Sequence, residues 1–524
     1  MRSAIGDKRA SPPLTGENLT YNGSPKPTNP PRPMNSVPRH MTPTLRTLLA
    51  ILFLCCLHAL PTRAQQPADK ALGAEALAAS KAAQVPLPPP SASARDLFSR
   101  NKDRLVQVRV LLNSANEQSS LGSGFVVRDD GAKGAWLLTN YHVVSSLAIN
   151  PEKYRLELRP TSERTVKATL VAVDVIHDLA VLRTEPVGEV QPWPVFTLRD
   201  GALTQGERIF SLGNPLELGF LISEGIYNGF VESRIYEQML FSGALNAGMS
   251  GGPAIDEAGR VIGVNVATRR GAELLSFLVP VRYARELLER AWLAPPRKEW
   301  RTEIARQLLI HQNFVAGKLL TATGAAANAA APVPATSGPS SPAAQGVVAS
   351  ARAGFTSQTL AGRTVPTLDG SLTKCWAGGR DGERLRYQRD TLDCSLRSEL
   401  FVRGNLYTGF LSVRHVLLRN DKLATPQFLA IGSVGRAAAA FMQGGSREMT
   451  PDECRDDYVR GSVHVYRVAI CLKAFRKFEG IYDFSVSATQ VDDPRERLLS
   501  TLSLNGISFE NGQRLSRMFM ERLQ

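Results

Sequence analysis

Between Arg104 and Val281 the chain breaks into about a dozen short apolar runs separated by glycine and polar turns, from RLVQVRVLL and GSGFVVRD through TVKATLVAVD and RIFSLGN to VIGVNVAT and SFLVPV. Nothing else in the sequence constrains the fold as tightly. Runs of this length with almost no helical period bury their side chains by pairing edge to edge, which predicts antiparallel barrels or a sandwich. The whole chain has 524 residues, too many for one ordinary domain. With 43% hydrophobic and 21% charged residues it is neither wholly disordered nor a polytopic membrane protein.

The pattern changes after the last of these runs. From Val281 to Leu320 it turns helical, with a break at Pro295 and Pro296, and 286–320 reads as a helical extension of a domain spanning 100–285. Residues 321–354 form an alanine, proline and serine linker. Strand-like stretches then return in 355–524, including GNLYTGFLSVRHVLL, VHVYRVAICLKAF and YDFSVSATQV, and the chain closes on the amphipathic GQRLSRMFMERL. This C-terminal accessory domain is expected to be separate and of α+β or mostly β type.

The N-terminal region carries a targeting pattern. Residues 1–40 are polar and rich in proline and serine, and are expected to be disordered or untranslated. In 41–64, Arg46 precedes an apolar run from Leu48 to Leu57, followed by Pro61 and Ala64. That is the layout of a signal peptide, and the run is short for a membrane span. A low-complexity segment follows at 65–99. Contact with a membrane is expected only through the 41–64 signal segment, were it to stay uncleaved.

Apart from Cys55 and Cys56 within that apolar run, the cysteines are Cys375, Cys394, Cys454 and Cys471. An even set with intervals of 18 and 16 residues reads as two disulfides rather than a zinc site, and hence as a periplasmic or secreted protein. Three pairings are open to four cysteines. The one that closes two short local loops, Cys375 with Cys394 and Cys454 with Cys471, is expected. Net charge is +14, but no basic run is interleaved with aromatics, so nucleic acid is not an expected partner.

Chemistry is concentrated in the strand-rich domain. A serine hydroxyl needs a base to take its proton, and the base needs a carboxylate to fix its tautomer. His142 lies in TNYHVV, where it is expected to end a strand, Asp178 opens DLAVL, and Ser250 lies in NAGMSGGP. Glycines at 248, 251 and 252 let the backbone turn tightly around Ser250, so that the amides of Gly248 and Ser250 can converge on a carbonyl oxygen. His415 and His464 lack companions at metal-ligand spacing and read as strand or surface histidines.

TNYHVV, DLAVL, SLGNP and GMSGGP, in this order and at these separations, resemble the trypsin-like serine peptidases of the HtrA/DegP type over roughly residues 100 to 285. The resemblance implies a mostly β, chymotrypsin-like double β-barrel with the active site between its two barrels, His142 and Asp178 coming from the first and Ser250 from the second. It implies a serine endopeptidase that acts on protein or peptide substrates with no metal or organic cofactor. Asp174 falls outside the D-L-A-V pattern, His177 reads as a surface neighbour, and Ser145 and Ser146 read as local hydrogen-bonding residues.

Two departures matter. Met249 stands where a zymogen's aspartate would pair with a freed N terminus, so activation by N-terminal cleavage is not expected. No PDZ-like glycine loop and strand follow Val281. By resemblance, Leu245 and Val266 line an apolar first specificity pocket with Ala244 at its floor position, which favours small or medium apolar residues, while Arg269 and Arg270 follow the Val266 strand. The competing reading is a catalytically silent scaffold or chaperone-like protein that binds through 355–524.

Overall fold

The computed structural model describes residues 91–523 apart from 162–164, 186–191, 233, 269–274, 296, 298, 321–354, 369, 371–372, 381–385, 397–398 and 432–447. The targeting region, the linker, Arg269 and Arg270 therefore lie outside the described residues, as does most of the 65–99 segment. The described residues belong to one compact unit.

A helix α1 (Ala92–Asn101) leads into six strands, β1 (Leu105–Leu112), β2 (Glu117–Asp129), β3 (Ala135–Thr139), β4 (Tyr154–Pro160), β5 (Val166–Asp174) and β6 (Leu179–Thr184). They close antiparallel into a barrel of order β1-β2-β3-β6-β5-β4, with helix α2 (Tyr141–Ile149) after β3. Six more, β7 (Arg208–Gly213), β8 (Leu221–Phe230), β9 (Met239–Phe241), β10 (Pro253–Ile255), β11 (Val261–Thr268) and β12 (Ser276–Pro280), close a second barrel. The predicted dozen strands thus form two barrels rather than a sandwich.

Strand alternation assigns the side chains. Val106, Val108 and Val110 of β1 point into the first barrel with Val126, Leu137, Leu158 and Leu182. Leu105, Phe125, Leu138 and Val181 face the other way, against Phe210, Leu212, Val264 and Val279 of the second barrel. Both faces of these strands are buried, which is why the runs read as nearly continuous apolar sequence. Each buried Val, Leu or Phe contributes roughly 1.5–3 kcal/mol relative to exposure.

Helix α3 (Val281–Leu293) lays Ala284, Leu287, Leu288 and Ala291 onto the seam between the barrels. The predicted break at the proline pair separates it from α4 (Arg301–Leu320). One stretch of α4 packs Ile304 and Leu308 beside the first barrel, and the next sends Val315, Ala316 and Leu319 into the C-terminal core.

The C-terminal module begins with hairpin β13 (Phe355–Leu360) and β14 (Arg363–Leu368) and continues through β15 (Thr373–Arg380), β16 (Tyr387–Leu396), β17 (Leu400–Arg403), β18 (Leu406–Thr408) and β19 (Leu411–Asn420). After a short helix α5 (Thr425–Ala430) come β20 (Glu453–Arg460), β21 (Val465–Ala474), β22 (Tyr482–Gln490), β23 (Glu496–Ile507) and helix α6 (Phe509–Glu521). Seven strands pair in the order β15-β16-β19-β23-β22-β21-β20, while β17 and β18 pair only with each other. The stretch read as one strand, GNLYTGFLSVRHVLL, is split at Gly409, whose positive φ of 79° turns the chain out of one pairing and into the next. The amphipathic α6 buries Leu515 and Phe519 against the sheet, and its N-cap Ser508 accepts the Asn511 amide.

The module has its own sheet but is not detached. Leu400, Val402 and Leu406 share one apolar cluster with Tyr141, Val175, Trp300 and Ile304.

Both disulfides are the local ones, Cys375–Cys394 and Cys454–Cys471. Each joins directly paired residues of a hairpin, β15 with β16 and β20 with β21, so the bridges staple the two edges of the seven-stranded sheet. Strand β20 is exposed along its whole length and has little core to hold it. Reduction is expected to raise amide exchange in β20 and β15 while β19, β22 and β23 and both barrels stay protected. The chain-entropy model assigns about 3 kcal/mol to each loop of this size. Hydrogen-exchange mass spectrometry with and without reductant checks this.

Candidate active site

His142 lies in the first turn of α2, not at a strand end as its sequence setting implies. Strand β3 stops at Thr139, and the helix that follows has unsatisfied first-turn amides. Asp178, just ahead of the neighbouring strand β6, supplies their partners. Its main-chain oxygen accepts from the Tyr141 amide at 3.1 Å and from Asn140 Nδ2 at 2.8 Å, and its carboxylate Oδ1 accepts from the His142 amide at 2.8 Å. The other carboxylate oxygen stands 2.6 Å from His142 Nδ1. Burial opposes protonation of this imidazole, but the charge and hydrogen bond of Asp178 outweigh it and hold the pKa above the ordinary 6.5.

Asp178 has φ of +56°, a left-handed conformation that Asp and Asn tolerate better than most residues. The turn aims its carboxylate back at α2 instead of along β6.

The Ser250 loop is held mainly by its backbone. Gly248 has φ of +96° and Gly251 φ of +85°, and a Cβ on Gly251 would lie 2.3 Å from the Ser123 carbonyl oxygen, so only glycine fits there. Gly251 donates to Asn265 O and Gly252 to Met249 O, while the Asn265 side chain donates to the carbonyls of Leu212 and Met249. Among the described residues, no acceptor takes the Gly248 or Ser250 amide.

The first barrel reaches across through Ser123. Its amide donates to Ser250 O at 2.8 Å, and its hydroxyl donates to Gly248 O at 2.7 Å while accepting from Asn214 N. Sequence reasoning took GSGF and SLGN only as parts of strands or motifs and missed Ser123, Asn214 and Asn265 as supports. A polar residue in an otherwise apolar strand was the available signal for Asn265; Ser123, in a strand that begins EQSSLGS, carried none.

Ser250 Oγ donates to the Val266 carbonyl at 2.8 Å, and the described hydrogen bonds of His142 go to Asp178 and, through its carbonyl, to Ser145 Oγ. The local role read for Ser145 is this bond. Met249 is wholly buried in the second-barrel core. Leu245 is buried beside it, with Tyr227 and Phe241, whereas Val266 lines an open cleft.

Asp174 faces away from His142. It pairs with His177 Nδ1 at 3.0 Å and with Arg290 at 2.9 Å; burial works to raise its pKa, yet His177 and Arg290 together bring it below the ordinary value. His177 is therefore no surface neighbour. It is half-buried, stacked on Tyr283 at 3.7 Å, and part of the joint between the first barrel and α3. In the C-terminal module, His415 is buried between Ser500 Oγ and Pro366 O, with burial pushing its pKa down to about 4. His464 sits among Arg363, Gln490 and Asp492.

Two closed barrels, with a His–Asp pair on one and a glycine-bracketed serine loop on the other, have the layout of a trypsin-like peptidase domain. Residues 122–264 match the family model described as trypsin-like peptidase domain, a span that contains His142, Asp178 and Ser250. The chain is similar to the mitochondrial serine protease HTRA2 of Drosophila pseudoobscura pseudoobscura, 33% identical over 182 residues, covering 33% of this chain and 39% of that protein. HTRA2 of Bos taurus is 34% identical over 181 residues, covering 33% and 36%. Among solved structures, a serine endoprotease from Yersinia pestis is 25% identical, covering 39% of this chain and 68% of that one, with a TM-score of 0.32. The chain thus spans well under half the length of the curated relatives it matches.

Proposed function

We propose that this chain is an exported serine endopeptidase that cleaves protein or peptide substrates through an acyl-enzyme. The observation that carries the reading is the double hold of Asp178 on His142, at the ring nitrogen and at the backbone amide, beside the glycine-set Ser250 loop. In the reaction Ser250 Oγ leaves the Val266 carbonyl by rotating about its Cα–Cβ bond and passes its proton to His142 Nε2 as it attacks the scissile carbonyl. The amides of Gly248 and Ser250 receive the developing oxyanion, a contribution of about 10²–10³ per donor in comparable sites. His142 then protonates the leaving amine, and water, activated by the same imidazole, releases the acyl group. An oxidising compartment, periplasmic or extracellular, suits the two disulfides.

Because a base must be neutral to act, kcat/KM rises as pH rises through the His142 pKa. The raised value puts this acid limb above 6.5, and a pH–rate profile checks it. By the resemblance, Leu245, which packs in the second-barrel core, lies at the apolar wall of the first specificity pocket, and Ala244 places no charge at its floor position. Cleavage is therefore expected after valine, leucine, methionine or alanine, the first three contributing roughly 1.5–3 kcal/mol on burial and alanine about 0.8 kcal/mol. Fluorophosphonate labelling tests the nucleophile, and profiling on an unbiased peptide library tests the pocket. Absence of labelling overturns the peptidase reading, and a preference for arginine or lysine overturns the pocket assignment.

A further inference from the structure

A cleft of about 440 Å³ opens beside the Ser250 loop, and its walls come from three parts of the chain. The first barrel contributes Val175 to Asp178, the second contributes Val266 with the polar Arg234 and Gln238, and the C-terminal module contributes Glu399 beside Phe401, Tyr407 and Phe410. This volume falls within the roughly 300–1,000 Å³ range of pockets that bind small ligands, enough for a short peptide stretch. The cleft touches both ends of the chemistry: Asp178 holds the His142 ring, and the carbonyl of Val266 takes the Ser250 hydroxyl.

We propose that the β17–β18 hairpin of the C-terminal module is a substrate-recognition wall of the active site, receiving an apolar or aromatic side chain on the acyl side of the scissile bond. The inference rests on the peptidase reading above and adds to it the element that selects the residues preceding the cleaved one.

Strand alternation builds the wall. Leu400, Val402 and Leu406 point inward and are almost fully buried in the cluster with Tyr141, Val175 and Trp300. Tyr141, the chain neighbour of His142, donates its hydroxyl to the Val402 carbonyl at 2.8 Å. The hairpin is thereby bolted to the helix that carries the base. The face that remains presents the cross-strand pair Phe401 and Tyr407, edge to face at 5.6 Å, with Phe401 also 6.0 Å from the His142 ring. Two aromatic rings fixed in this way offer apolar area at little further entropic cost.

The resemblance gives the side: by it, the strand carrying Val266 borders the first specificity pocket, and in this structure Val266 lies at a register shift between β11 and β12. The same cleft is lined by Val175, Ile176 and the hairpin, and the proposal lays the chain segment ahead of the cleaved residue along it.

The test uses the full chain and a peptide series that varies the one or two residues before the cleaved position, with leucine, phenylalanine or glycine there. For the wild type, leucine and phenylalanine peptides are expected to be preferred. In Phe401→Ala and in Tyr407→Ala the ratio of kcat/KM between apolar and glycine peptides is expected to fall about tenfold, and Phe401→Leu is expected to restore most of it. Tyr407 is partly exposed, so its variant keeps the test open should Phe401→Ala fail to fold. A wild type that cleaves the series while neither variant changes the ratio overturns this inference alone. A wild type that neither labels with fluorophosphonate nor cleaves any peptide overturns the peptidase reading and this inference with it.

Discussion

Ser250→Ala is expected to lower kcat by about 10⁶, the size of loss seen when a triad nucleophile is removed and only binding and oxyanion stabilisation remain. The side chain makes one described hydrogen bond, to the Val266 carbonyl, so the variant leaves one carbonyl without that donor, at a cost of about 0.5–1.5 kcal/mol. The loop itself is held by bonds that alanine keeps: Ser123 N to Ser250 O, Gly251 N to Asn265 O and Gly252 N to Met249 O. The melting curve should therefore stay close to the wild type while turnover on a peptide substrate vanishes. Hydrolysis near the wild-type rate would mean that another residue is the nucleophile.

Asp178→Asn carries the second largest effect, about 10⁴ in kcat by analogy with other triads. The carboxylate accepts from His142 Nδ1, which keeps the proton on that nitrogen and leaves Nε2 free to act as base. An amide nitrogen turned toward Nδ1 reverses the tautomer. Asparagine is well suited to φ of +56°, and its carbonyl oxygen can still accept from the His142 amide, so the turn survives and the loss is chemical. The charge that raises the His142 pKa disappears as well, and the acid limb of residual activity moves down. Asp174→Asn is the control. It unpairs His177 and Arg290 at the joint with α3 and is expected to cost stability rather than turnover. If it lowers kcat more than Asp178→Asn does, the base is oriented from Asp174.

The local layers of this protein were legible because they rest on short-range physics. Apolar runs broken by glycine and polar turns marked the strands of both barrels, and the proline pair marked the break between the two long helices. Short cysteine intervals pointed to two bridges that each close a short local loop; that each joins directly paired strands of a hairpin was shown only by the structure. His142, Asp178 and Ser250 stood out because a serine nucleophile needs a histidine and a carboxylate, and because each sits in a motif, TNYHVV, DLAVL or GMSGGP, that resembles the trypsin-like peptidases.

Other features had no local signal. His142 was expected at a strand end, because β3 and the first turn of α2 form one apolar run; the helix begins only where Asp178, 36 residues later, satisfies its amides. His177 looked peripheral because Tyr283, which stacks on it, and Arg290, which shares Asp174 with it, come from a helix that follows the whole second barrel in the chain. Closure into barrels rather than a sandwich depended on which edges met, and strand sequences alone do not choose their neighbours.

What the sequence by itself determined was a strand-rich domain, from periodicity and turn residues, and an expectation of two local disulfides; the double-barrel class and the candidate residues His142, Asp178 and Ser250 came from the motifs' resemblance to trypsin-like peptidases. Only the tertiary structure decided what stands around those residues. Ser123 reaches the Gly248 carbonyl from 125 positions away, and Val402 meets the Tyr141 hydroxyl across 261. Such contacts form because both barrels, α4 and the C-terminal sheet bury their remaining apolar faces against one another, and the packing of those faces sets which distant residues meet.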